Sequence, residues 1–149
     1  MITGEFNVAI DDKGRLMIPA KLRSQIAGDV LWATKGDGPY LWLFTPEKYE
    51  KFVATLTKNA TRLFNKDSSE KLRKHVAPAQ DLKIDRTRRI LIPPSLKTYA
   101  TLKKEALILG LIDYIELWDV ETYNLHGQKS DEKGVTEENQ KKLEELIFF

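Results

Sequence analysis

Aspartate and arginine recur four residues apart within one phrase, IDDKGRLMIP at residues 10–19 and IDRTRRILIP at residues 84–93. A guanidinium is a planar fork of donors that can bond guanine O6 and N7 together, or clasp a phosphate. The carboxylate four positions earlier can accept from the amides of a turn. It can also steady the arginine, reducing the rotamer entropy lost on binding. Both roles can hold at once for Asp11 and Asp85. A purely structural reading stands beside them, in which each aspartate only holds the shape of a hairpin. More cations gather nearby: Lys13 and Arg15 in the first phrase, Arg86, Arg88 and Arg89 in the second, Lys83 just before it, and Lys21, Arg23 and Lys97 after them.

The elements that must position these side chains also come twice. Residues 10–49 slide onto residues 84–123 without a gap, and eleven of forty positions are identical, among them Ile10/Ile84, Pro19/Pro93, Leu22/Leu96, Gly36/Gly110 and Tyr49/Tyr123. Average residue usage gives about two or three by chance, so the chain carries a duplication, with two or three residues near Val30 as the place where register could slip. In each copy a short strand (EFNVAI, AQDLKI) leads through a turn into a second strand (RLMIP, RILIP). Gly14 supplies a positive φ in the first turn. Pro19 and Pro93 suit the start of a short helix, and two further strands follow, joined in the first copy by the hairpin turn KGDGP. Thr45 and Asp119 are N-caps of a longer helix after each copy. SSEKLRKHVAP reads as a connecting helix from Ser68 or Ser69, KSDEKG as a solvated loop, and TEENQKKLEELIFF as a capped, charged helix with an apolar end. The divisions are thus 1–60 for the first repeat, 61–78 for the helical connector, 79–127 for the second repeat, and 128–149 for a C-terminal loop and helix. Four short strands alone have exposed edges and little core, so the halves are expected to pair into one closed, barrel-like body with pseudo-twofold symmetry.

Composition narrows the function. The chain has 149 residues, is 42% hydrophobic and 31% charged, and carries a net charge of +2, which fits a folded globular protein. Any basic footprint must be local, because a pI near 8.7 falls below that of many dedicated nucleic-acid binders. The absence of cysteine excludes thiolate metal sites and a disulfide framework. No signal peptide is expected from MITGEFNVAI, which lacks a basic region and holds Glu5 and Asn7. The longest apolar run, ALILGLI, is too short to span a bilayer. The sequence shows no phosphate-loop, dinucleotide or nucleophile-elbow motif. His75 and His126 have no ligand-like neighbours and read as surface helix positions, so neither an enzyme nor a metal or other cofactor is expected. Trp32, Trp42 and Trp118 read as core or subunit interface.

The phrase IDDKGRLMIPAKLR, its second copy, and the segments LWLFTPEKYE and IELWDVETYN after them resemble the MraZ family from GEF to about Tyr123. More distantly, each copy is similar to the AbrB/MazE-like swapped-hairpin domain. The resemblance implies a mainly β fold with short helices, two tandem AbrB-like half-domains forming a double-split β-barrel. It implies a bacterial, cytoplasmic, nucleoid-associated transcription factor, usually a repressor of its own division and cell-wall operon. Such a protein would bind direct repeats in double-stranded DNA as a ring of about eight subunits, away from any membrane. Arg15 and Arg89 would read bases; Lys13, Arg86 and Arg88 would assist, mostly at phosphate, with Arg23 a further contact. Asp11, Asp85 and Gly14 would shape the turns. Arg88 stands where the first turn has Gly14, which leaves the second turn's geometry and base contacts open. The rival is an antitoxin-like or scaffolding ring whose basic loops grip an acidic protein.

Overall fold

The computed structural model describes residues 1–58 and 65–132. In chain order they form β1 (Ile2–Ala9), β2 (Arg15–Met17), α1 (Ala20–Arg23), β3 (Val30–Lys35), β4 (Leu41–Phe44), α2 (Pro46–Leu56) and α3 (Lys66–His75). Then come β5 (Gln80–Lys83), β6 (Arg89–Leu91), α4 (Pro94–Tyr99), β7 (Glu105–Ile112), β8 (Ile115–Asp119) and α5 (Val120–Glu132). The caps are as the side chains dictate: Thr45 accepts from the Lys48 amide, Asp119 from the Thr122 amide, and Asn65 from the Ser68 amide. Asn65 therefore starts the connecting helix earlier than Ser68. Asp119 starts a helix that continues through most of the KSDEKG run as far as Glu132. The tail from Thr136 lies outside the described residues.

Six strands form one antiparallel sheet in the order β1-β7-β8-β4-β3-β5, and β2 pairs with β6 as a separate two-stranded ribbon. The duplication is visible in the register. Trp42 faces Glu116 in the β4–β8 pair and Leu16 faces Ile90 in the ribbon, and both pairs join residues 74 apart. A pseudo-twofold axis that exchanges the copies therefore runs through both pairs. Within each copy the gapless alignment slips by one residue. Trp32 faces Phe44, and the equivalent partner of Trp118 is Leu107, at an offset of 75. Gly36 and Gly110 are thus not counterparts: Gly36 donates to the Tyr40 carbonyl in its hairpin, while Gly110 lies in β7 opposite Gly4.

The expected closed barrel does not form. β1 and β5 remain edges of the six-stranded sheet, and one isolated bridge, Ile10 to Leu16, links β1 to the ribbon. The reason is length. Each ribbon strand has three residues and runs into Pro19 or Pro93, which cannot donate to a ladder. The ribbon instead lies over the sheet as a lid. Its inward residues Leu16, Ile18, Ile90 and Ile92 join Leu22 and Leu96 from α1 and α4 against Leu31, Leu43, Ile108 and Leu117 of the sheet. Each such side chain contributes about 1.5–3 kcal/mol by burial.

A second, aromatic cluster forms where α2 and α3 meet the strands. His75 corrects the surface expectation: it is 7% exposed, stacks on Trp42 at 4.8 Å, and its Nδ1 lies 2.7 Å from the Lys35 carbonyl oxygen. Its own carbonyl accepts from the Thr34 and Tyr49 hydroxyls. His126 is exposed on α5, near Trp118.

Candidate nucleic-acid interface

The two Asp-x-x-x-Arg turns are built alike. The Asp11 Oδ1 accepts the amides of Lys13 and Arg15, both at 2.9 Å, and its backbone closes the turn through bonds from Asp11 N to Arg15 O and from Gly14 N to Asp11 O. The Asp85 Oδ1 accepts the amides of Thr87 and Arg89 at 2.8 and 2.9 Å, and also the Thr87 hydroxyl. Its backbone bonds repeat those of the first turn. Both carboxyls are held below the usual carboxylate range. For Asp11 the main cause is the Arg15 amide, with help from the charges of Arg15 and Arg89. For Asp85 it is the Arg89 amide, then the Thr87 hydroxyl.

Arg88 does not distort the second turn. It adopts the left-handed conformation itself, at φ 64°, where Gly14 has φ 86°. A clasp offsets the strain: Arg88 Nε donates to the Ile18 carbonyl at 3.1 Å, and its guanidinium reaches the Met17 sulfur at 3.5 Å. The backbone adds a symmetric pair, Ile18 N to Arg88 O and Ile92 N to Gly14 O, so each turn ties the end of the other copy's ribbon strand.

This arrangement brings the arginines of both copies onto one surface. Alternation turns Leu16 and Ile90 inward and leaves Arg15, Met17, Arg89 and Leu91 outward. Arg15 lies across from Leu91 and Met17 across from Arg89, which makes the two arginines diagonal neighbours, about 7–8 Å apart at the backbone. Asp11, Arg15, Met17 and Arg89 line an open groove of about 450 Å³ beside β1. Lys13 and Arg86 are exposed at the turn tips, and among the described residues Lys13, Arg15, Arg86 and Arg89 form no ion pair. The tips differ in charge, because Asp12 occupies the position equivalent to Arg86. Arg23 sits apart, half-buried, its guanidinium donating to the Ile26 carbonyl at 3.1 Å. The sequence reading passed over Met17 and Leu91. Their signal was the strand period of two, which puts them on the arginine face.

Among the described residues no cluster of metal-ligating side chains occurs, and no helix is long and apolar enough to cross a membrane. The arrangement offers an exposed, two-stranded ribbon with one arginine from each copy on its outward face. Such a ribbon is narrow enough for a DNA major groove about 12 Å wide.

Comparison with known proteins agrees with the duplicated motif. A family model described as "MraZ protein, putative antitoxin-like" matches residues 1–74 and 76–145. A Treponema denticola protein named transcriptional regulator MraZ is 41% identical over 130 residues, covering 87% of this chain and 90% of that one. A protein of the same name from Caldicellulosiruptor saccharolyticus is 34% identical over 146 residues, covering 98% and 99%. With both copies of the motif inside the match and relatives aligned almost end to end, the chain belongs to the MraZ family.

Proposed function

We propose that this protein is a sequence-specific, DNA-binding regulator of transcription that reads double-stranded DNA with the β2–β6 ribbon. The observation that carries this reading is the convergence of Arg15 and Arg89 on one outward face, each set by an aspartate that fixes its backbone. The names of the relatives support it. Arg15 and Arg89 contact base edges, and Lys13 and Arg86 contact phosphate. Arg88 and Arg23 act mainly through the carbonyls they already hold, and Asp11, Asp85 and Gly14 shape the turns.

One ribbon makes few phosphate contacts and binds weakly alone. A closed ring of about eight copies would gain affinity from effective concentration on tandem direct repeats. In this reading the protein acts in the cytoplasm on the nucleoid and represses its own division and cell-wall operon. The test is anisotropy on duplexes from upstream of its own gene carrying one, two or more repeats, with shuffled controls. Affinity that climbs steeply with repeat number supports the reading. A single repeat bound as tightly as several would remove the ring from it. The family description includes an antitoxin-like role, so the second reading is a ring gripping an acidic protein. Equal, weak binding to specific and shuffled DNA would favour that alternative.

A further inference from the structure

The outward face of the ribbon holds more than cations. Met17 and Leu91 are 39% and 53% exposed, although Leu16 and Ile90 beside them are 1% exposed. Polar side chains at these two positions would leave the core unchanged, so core packing does not explain large apolar groups there. Leu91 lies directly across from Arg15, and Met17 directly across from Arg89. Lys13, Arg15, Arg86 and Arg89 are exposed around this face and outnumber the exposed Asp11, Asp12 and Asp85 of the same turns, so it suits a polyanion that also offers small apolar spots. In the DNA major groove the apolar group on the base edges is the C5-methyl of thymine.

Building on the DNA-binding reading above, we propose that Leu91 is a specificity-determining residue that packs on a thymine methyl one base step from the base Arg15 contacts. Met17 does the same beside Arg89. Opposed residues of an antiparallel pair have Cβ atoms about 4.5–5.5 Å apart, and successive bases on a strand are about 3.4 Å apart. An arginine and its cross-strand neighbour can therefore serve adjacent steps.

The test uses the full chain to enrich a duplex from a random-sequence library. Affinity is then measured on that duplex and on copies with each thymine replaced in turn by deoxyuracil, which lacks the methyl. One buried methyl corresponds to about fourfold in affinity. At one thymine the replacement is expected to weaken wild-type binding about fourfold. Leu91→Ala should weaken binding to the thymine duplex and lose nothing further on the deoxyuracil copy, the non-additivity of a direct contact. Met17→Ala should behave likewise at a second thymine. Leu91 is exposed, so Leu91→Ala should melt close to wild type, whereas Met17→Ala also gives up the Arg88 contact at its sulfur and should melt slightly lower. Losses that multiply at every thymine, or an enriched duplex without thymine, would overturn the methyl contact while leaving DNA binding intact. If no duplex is enriched, the DNA-binding reading fails and the methyl contact fails with it.

Discussion

Arg88 makes a clear prediction because two opposed terms meet in one residue. At φ 64° a side-chain-bearing residue carries roughly 1–2 kcal/mol of left-handed strain that glycine lacks. Its clasp on the Ile18 carbonyl is a hydrogen bond from a charged donor, worth about 1.5 kcal/mol at the lower end of its range because the site is half-exposed. Arg88→Ala removes the clasp and keeps the strain, so it should cost about 1–2 kcal/mol. Arg88→Gly removes both, against roughly 0.4–1 kcal/mol of added chain entropy in the unfolded state. Glycine should therefore be the more stable variant by about 0.5–1 kcal/mol, the reverse of the order at an ordinary exposed position. At about 2–4 °C per kcal/mol for a chain of this size, the alanine variant should melt roughly 2–8 °C below wild type, with the glycine variant above it. Urea denaturation and thermal melting of the two proteins measure this directly. An alanine variant as stable as the glycine variant would refute the left-handed assignment, and the clasp argument would fall with it.

Three further outcomes follow from the fold. Leu16→Ala and Ile90→Ala strike the two inward residues on the pseudo-twofold axis, both 1% exposed, and each should cost about 2–5 kcal/mol in urea denaturation; a loss below about 1 kcal/mol at either site would contradict the ribbon's anchoring. A Cβ at Gly110 would stand 2.8–2.9 Å from the Thr3 backbone, so Gly110→Ala should lower the melting temperature and speed amide exchange along β1, whereas an unchanged β1 would refute the close β1–β7 approach. Asp11 and Asp85 are depressed in the folded state from 3.8, so their stabilisation is present above pH 3.8 and lost as pH falls through the lower folded values. The Asp11→Asn/Asp85→Asn pair keeps the acceptor oxygens without the titration, and should lose stability less steeply than wild type between about pH 5 and pH 2.5; parallel curves would contradict this.

Much of this was legible in residue order, and the remainder depended on pairing. Alternation in RLM and RIL, the prolines after them and the side-chain caps are local signals, and they place the turns, short helices and hairpins correctly. Which strands meet is not local. Nothing in the phrase IDRTRRILIP says that Leu91 faces Arg15, or that three-residue ribbon strands leave the sheet open instead of closing a barrel. The one-residue slip was equally hidden, because Gly36 and Gly110 match in sequence while lying at different places in the fold. Arg88 left the second turn's geometry open, because an arginine gives no residue-type signal for the left-handed φ it adopts. The clasp that holds it there comes from the other copy, 70 residues away in sequence. Arg23 read as another surface cation, yet it closes the turn after its own short helix. His75 read as a surface position because the rings that cover it, Trp42 of β4 and Phe52 of α2, lie more than twenty residues away in sequence.

The central claim is that the outward arginines of the ribbon read DNA sequence. Its most direct test is fluorescence anisotropy of wild type, Arg15→Ala and Arg89→Ala on an enriched duplex and a shuffled one, from about 50 to 200 mM salt. A bidentate arginine–base contact is worth about 1–3 kcal/mol of discrimination, so each variant should lose roughly 5- to 150-fold on the enriched duplex and far less on the shuffled one. Equal losses on both duplexes at every salt concentration would reduce the arginines to phosphate contacts and contradict the account.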